Sequence, residues 1–279
     1  MKNKLFIGAL ALLMAFTTAC SSKTENTTTT SQDKDTFTYA INSDPSSTNP
    51  INVSDRWGLT MTNMIYSPLI RVEGDGSLVN ELAESTELAK DGLSLTVNLK
   101  KGIKWSDGQD FTADDVVFTY ETKAKKENGN FKSLWINDKP ITVEKKDDHT
   151  VVFKFPEPSA AAANNIATET YIIPKHIYGK VSDFSVKDLQ EKPVGTGPYK
   201  LVENKRGEYI KFEANENYYK GKPKVKNVVL RVIQSADTTK VALQKGEIDA
   251  SYVLPTDIKD LDTNKLDVYS YSENRIGYL

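Results

Sequence analysis

Residues 105–123 read WSDGQDFTADDVVFTYETK, and the rest of the chain is read outward from them. Ser106-Asp107-Gly108-Gln109 is a turn. Thr112 stands where a helix begins, with a hydroxyl able to accept an amide of the first turn. Asp115, three residues on, occupies the reciprocal position of a capping box. Asp114 and Asp115 also complement the positive end of a helix dipole. Val116, Val117, Tyr120 and Ala124 then share one apolar face. Two adjacent carboxylates invite a metal or general-acid reading, but capping accounts for both. Ahead of the turn, Leu95, Val97 and Leu99 alternate as a strand does. Lys100-Lys101-Gly102 closes that strand. Trp105 is read as a core residue.

The same reading extends in both directions. Phe37-Thr38-Tyr39-Ala40-Ile41 alternates as a first strand and ends in the turn-rich Asn42-Ser43-Asp44-Pro45. Met61, Met64 and Ile65 have helical spacing, which predicts a helix over 58–67. Leu69 to Val72 reads as a strand. Leu82-Ala83-Glu84 with Leu88, then the Asp91-Gly92 turn, predicts a strand paired with Leu95–Leu99. Val151, Phe153 and Phe155 follow a turn at Asp147-Asp148-His149-Thr150. In Pro193-Val194-Gly195-Thr196-Gly197-Pro198-Tyr199 the glycines permit positive φ and close backbone approach. This is no dinucleotide fingerprint, because Lys200 stands where a third glycine belongs. Ile210, Phe212 and Ala214 make a strand, as do Val228, Leu230 and Val232. Asp237 is expected to cap a helix over 238–245, stopped by Gly246 at C′. His149 and His176, the two histidines, are too few for a zinc site and read as structural.

The 279 residues carry 36 basic and 38 acidic side chains, a net charge of −2. No polyanion partner is implied. The lysine clusters (Lys123, Lys125, Lys126; Lys222, Lys224, Lys226) read as solvated faces rather than a nucleic-acid surface. At the N-terminus, Lys2 and Lys4 precede an apolar run from Leu5 to Phe16. That run is too short for a bilayer, which needs ~20 residues, and fits a secretory signal. Thr17-Thr18-Ala19-Cys20 resembles a bacterial lipoprotein processing box, with Thr17 where leucine is usual. Cys20 is the single cysteine, so no intrachain disulfide forms. It reads as the lipid attachment point, its acyl chains burying in the membrane at ~0.8 kcal/mol per methylene. Residues 21–35 lack apolar side chains and read as a flexible tether.

Three segments together, Trp105–Lys123 with its preceding strand, Pro193–Tyr199 and Gly246-Glu247-Ile248-Asp249, resemble family 5 extracellular solute-binding proteins. These are receptors that feed peptide and nickel ABC importers. Asn49-Pro50 (with Asn where Asp is commoner), Leu69–Val72, the Asp147–Thr150 turn, Ile173–Tyr178 and the Asn217–Pro223 turn are similar to further family segments. The resemblance covers Phe37 to Leu279. It implies an α/β fold of the periplasmic-binding-protein-like type II (cluster C): a first lobe with an inserted α+β subdomain, the second lobe missing. The implied organisation is a signal peptide at 1–19, a lipid-anchored linker at 20–36, a split core at 37–57 and 189–279, and the insert at 58–188. Ser272–Leu279 looks like the strand that enters a second lobe, so the chain is expected to be half a clamshell that binds peptide weakly or not at all.

The implied function is that of a substrate-binding lipoprotein held to the extracytoplasmic membrane face through Cys20. It would capture oligopeptides and deliver them to an ABC permease and ATPase. No catalysis, cofactor or metal is implied. Nickel, haem or sugar capture is the rival within the family, and a surface adhesin or other non-transport lipoprotein the rival outside it. A surface glycosidase would need a positioned carboxylate pair, which no segment supplies. Carried over by position, the ligand contacts are Ser43, Asp44 and Ser46 after the first strand, then Trp57. Trp135 joins them from the insert, and Tyr252-Val253-Leu254 offers extended backbone for a peptide strand.

Overall fold

The computed structural model describes residues 35–270, apart from 52, 129–130, 160–165, 167–169, 183–188 and 190. The leader, Cys20, nearly all of the tether and Ser272–Leu279 lie outside the described residues.

The first sheet has five strands in the order β10-β11-β12-β1-β13. These are β1 (Thr36–Ile41), β10 (Tyr199–Lys205), β11 (Tyr209–Ala214), β12 (Asn227–Val232) and β13 (Ala250–Ser251). β1 runs parallel to both of its neighbours, with Tyr39 opposite Leu230 on one side and Ala250 on the other. β10, β11 and β12 form an antiparallel meander. The period of two sends Ile41, Ile210, Phe212, Val228 and Leu230 to one face, where Met61 and Ile65 of helix α1 (Arg56–Ile65) cover them. Tyr171, Ile173 and Tyr178 join the same core, and the buried Tyr66 and Tyr178 hydroxyls share a 2.9 Å hydrogen bond. On the opposite face Ala40 packs against Ala242 and Leu243 of a second helix, Ala236–Gln244.

The second sheet is antiparallel in the order β4-β5-β9-β8: β4 (Ala83–Leu88), β5 (Ser94–Leu99), β8 (Thr142–Asp147) and β9 (Thr150–Lys154). The expected pairing of the Leu82–Leu88 and Leu95–Leu99 segments is the β4–β5 hairpin. Helix α2 (Ala113–Lys123) lies over this sheet, burying Val116 and Tyr120 beside Trp105 and Phe111. Each such apolar side chain contributes about 1.5–3 kcal/mol. Tyr120 meets Phe153 edge to face at 4.7 Å. Two short hairpins, β2 (Ile70–Val72) with β3 (Leu78–Asn80) and β6 (Trp135–Ile136) with β7 (Lys139–Pro140), complete the sheets.

The capping box at Thr112 and Asp115 forms as its spacing predicts. Other element ends shift. Helix α1 begins two residues before the expected Gly58, because Asp55 caps it by accepting the Gly58 amide at 2.8 Å. The 236–244 helix is capped by Ser235 rather than Asp237. Asp237 sits instead in the first turn and pairs with Lys240 at 3.0 Å. Gly246 does take the left-handed conformation expected at C′, with φ +70°.

Gly195 and Gly197 do not adopt positive φ; close approach is what requires them. A Cβ on Gly195 would lie 1.8 Å from the Ile65 carbonyl oxygen, and one on Gly197 2.5 Å from that of Met64. The Gly197 amide donates to Ile65 O at 2.8 Å, and the Ser106 amide to Gly195 O at 2.9 Å. Asn217 Nδ2 donates to Trp105 O at 3.2 Å. The segment thus bolts the end of α1, under the first sheet, to the Trp105–Ser106 turn beside the second. Two of the motifs that carry the family resemblance, Trp105–Lys123 and Pro193–Tyr199, meet at this joint, whereas Gly246–Asp249 lies by β1, where the Asp249 amide donates to Thr38 O at 2.8 Å.

Candidate ligand cleft

β12, β1 and β13 are parallel and end side by side. In open α/β sheets, ligands bind outside the carboxyl ends of parallel strands, where helix and loop starts diverge. Here the residues that follow each strand line one cleft of about 210 Å³: Asn42 after β1, Ile233 and Gln234 after β12, and Tyr252, Val253 and Leu254 after β13. Trp57, from the first turn of α1, forms another wall, and Thr239, Lys240 and Asp257 also border it.

Trp57 is 7% exposed and donates its indole N–H to Asn42 Oδ1 at 2.6 Å. Its ring lies 6.1 Å from that of Tyr39. Beside it, the Arg56 guanidinium stacks over the Tyr252 ring at 4.9 Å, a cation–π contact. The start of α1 is itself braced. Asp55 accepts from the Ser46 hydroxyl and, at 3.2 Å, from the Ser46 amide. Burial acts against ionisation of the Asp55 carboxyl, but these bonds and the Gly58 amide outweigh it and hold its pKa below the ordinary value. Lys240 sits between Asp237 and Asp260 at 3.0 Å from each, and bonds to both carboxylates push its pKa upward.

Of the residues expected to meet ligand, Trp57, Tyr252, Val253 and Leu254 come together in this cleft. Ser43 lies exposed on the loop after β1 and does not line it. Asp44 accepts the Gly207 amide through both oxygens, at 3.0 and 2.9 Å, tying that loop to the β10–β11 turn. Ser46 braces the α1 cap. Trp135 packs in the other core, its indole donating to Ala124 O at 2.8 Å. The cleft residues missed from sequence include Asn42, Ile233, Gln234, Lys240 and Asp257, and the contact of Arg56 with Tyr252 was missed with them. Asn42 and Gln234 each fall just past the end of a predicted strand, and only the strand order makes those ends neighbours.

Elsewhere, Asp115 accepts the Thr112 and Lys175 amides at 3.0 and 2.8 Å and the Trp105 indole at 3.3 Å. Burial nonetheless raises its pKa. His176 pairs with Asp107 at 2.7 Å. Among the described residues no group of three or more His, Cys, Asp or Glu side chains could hold a metal, and no helix is long and apolar enough to cross a membrane.

The family model described as bacterial extracellular solute-binding proteins, family 5 Middle, matches residues 77–279. The chain belongs to this family. It is a family of solute-binding proteins rather than of enzymes. The oligopeptide-binding protein AppA of Bacillus subtilis is 36% identical over 269 residues, covering 91% of this chain and 48% of AppA. The crystal structure of that protein with a nonapeptide superposes with a TM-score of 0.75 at 35% identity, over 81% of this chain and 45% of AppA. The substrate-binding protein CtaP of Listeria monocytogenes gives 0.76 at 38% identity, over 82% of this chain and 46% of CtaP. NikZ of Campylobacter jejuni, in complex with Ni(L-His), gives 0.72 at 30%, over 81% of this chain and 45% of NikZ. The expected α/β fold of family 5 is therefore the observed one. The chain spans about half the length of the curated relatives it matches.

Proposed function

We propose that this chain captures oligopeptides outside the cytoplasm for an ABC importer and passes them to the permease and its ATPase. The observation that carries the reading is the cleft at the carboxyl ends of three parallel strands, where Trp57 and the 252–254 segment that follows β13 meet. Extended backbone can pair with a peptide main chain, which gives affinity without selecting side chains. Trp57 and Tyr252 supply flat apolar area beside it. The family relationship supports solute capture, and the similarity to AppA favours peptide over the nickel complex bound by NikZ. In this reading Cys20 carries the lipid that holds the receptor at the extracytoplasmic face of the cell membrane, and 20–36 is the tether. In the same reading 37–57 and 189–279 are the split core and 58–188 the insert, although Met61, Ile65, Tyr171, Ile173 and Tyr178 of that span pack on the core's sheet. Ser43, Asp44, Ser46 and Trp135 contribute only if a longer ligand reaches beyond the cleft.

Titrating the chain with a nonapeptide mixture, with nickel–histidine and with haem in separate arms, tests the ligand class through the indole fluorescence of Trp57. A weak but saturable change with peptides that Trp57→Phe removes is the expected result. A response to haem or nickel–histidine alone would make the peptide reading wrong. Radiolabelled palmitate incorporation that is lost in Cys20→Ser tests the anchor.

A further inference from the structure

The walls of the cleft carry a second message, which rests on the peptide reading. Ile41, Trp57, Ile233, Val253 and Leu254 make much of its lining apolar. Several of its polar groups are turned to protein partners. Asn42 Oδ1 takes the Trp57 indole at 2.6 Å. The Ser251 hydroxyl has backbone carbonyls as acceptors, Ala40 at 3.3 Å and Tyr252 at 3.2 Å. Lys240, with a side chain 15% exposed, is neutralised by Asp237 and Asp260. Asp257 borders the same space, so the charge around it is acidic on balance. An enclosed apolar void of about 150 Å³ is enough to hold a benzene ring; this cleft, partly open to solvent, is about 210 Å³.

We infer that the cleft is a pocket for one uncharged side chain of the bound peptide, aromatic or large aliphatic, and that it excludes carboxylates. Placing Asp or Glu there would desolvate an anion beside Lys240, a lining cation already paired twice. An aromatic ring would instead pack against the wall formed by Trp57 and by Tyr252, over which the Arg56 guanidinium lies at 4.9 Å.

The test uses the full chain and follows the Trp57 indole resonance by NMR, assigned with Trp57→Phe. The probes are p-cresol, benzoate and benzylammonium, and the host peptides Ala-Ala-X-Ala-Ala with X as Phe, Leu, Asp or Lys. Saturable shifts with p-cresol, at least ten-fold weaker with benzoate and benzylammonium, are expected, with Phe and Leu peptides bound at least ten-fold better than Asp. No p-cresol shift, or equal binding of benzoate, overturns the inference. Benzylammonium bound as well as p-cresol also overturns it, by assigning the pocket to Asp257 and a cation. Equal binding of all four peptides sinks the pocket but keeps the peptide reading; p-cresol binding with no peptide binding does the reverse. The double variant Asp237→Ala/Asp260→Ala releases Lys240 and should strengthen benzoate binding about ten-fold while p-cresol binding stays within two-fold. An unchanged benzoate response in a variant with native circular dichroism would refute the charge argument.

Discussion

Replacing Gly195 by alanine should destabilise the chain by about 4 kcal/mol. The new Cβ would stand 1.8 Å from the Ile65 carbonyl oxygen and 2.6 Å from its carbon, where real Cβ contacts stay beyond 3.0 Å. Both neighbours are backbone, so the segment must withdraw by about 1 Å or more rather than let a side chain swing aside. Withdrawal stretches three hydrogen bonds: Gly197 N to Ile65 O at 2.8 Å, Ser106 N to Gly195 O at 2.9 Å, and Gly195 N to Ser106 Oγ at 3.3 Å. At ~1 kcal/mol each, with ~1–3 kcal/mol for overpacking a close-packed joint, the loss is a large part of the ~5–15 kcal/mol that holds a typical domain. Gly74→Ala is the control, since its Cβ would meet nothing within 4 Å and its φ is not positive; it should change stability by less than ~0.5 kcal/mol or raise it slightly. Urea unfolding followed by both circular dichroism and tryptophan fluorescence gives the two values. A Gly195→Ala midpoint equal to that of Gly74→Ala would show that the joint yields freely, and the reasoning from close approach would fail.

Glu81 is 5% exposed and is bonded by Arg71 at 2.9 Å, by the Tyr219 hydroxyl at 2.5 Å and by Lys220. Burial alone would raise its pKa, but those three partners outweigh it and hold the carboxyl below its ordinary value. The unfolded chain therefore binds this proton more readily, and the stabilisation present at neutral pH is lost as pH falls through about 4 and below. Glu81→Gln should cost about 3 kcal/mol at pH 7 and flatten the fall in melting temperature between pH 5 and pH 3; an unchanged acid slope would contradict the pairing. Asp55→Ala removes the α1 cap and should cost about 1 kcal/mol, measured by urea midpoint, whereas Ser46→Ala should cost less because the Ser46 and Gly58 amides still bind Asp55. Asn42→Ala leaves the Trp57 indole without its 2.6 Å acceptor and should cost about 1 kcal/mol with a shift in the Trp57 emission maximum; an unchanged spectrum would mean that the bond does not hold the ring.

What the sequence determined by itself was local. Alternation along 37–41, 95–99, 210–214 and 228–232 sufficed for the strands, because a half-buried strand repeats every two residues whatever it packs on. The capping box needed only Thr112 and Asp115, three residues apart. The same locality explains the errors: Asp55 and Asp237 are equally plausible caps by composition, and the backbone conformation before each helix chose Asp55 at one and Ser235 at the other. The three most specific motifs revealed the family, but two lie at the joint between the cores and the third, Gly246–Asp249, braces β1, so they say little about ligand.

Only the tertiary structure decided the site. Asp44, expected by position to meet ligand, accepts the Gly207 amide, 163 residues on, through both oxygens of its carboxylate. Ser46 turned out to brace Asp55, and Trp135 to belong to another core. The cleft itself exists because β12 and β13 both run parallel to β1, so that residues 42, 233 and 252, far apart in the chain, emerge from the same end of one sheet. Strand order and direction follow from which long-range pairings bury the most surface together, and no period within a single segment encodes that.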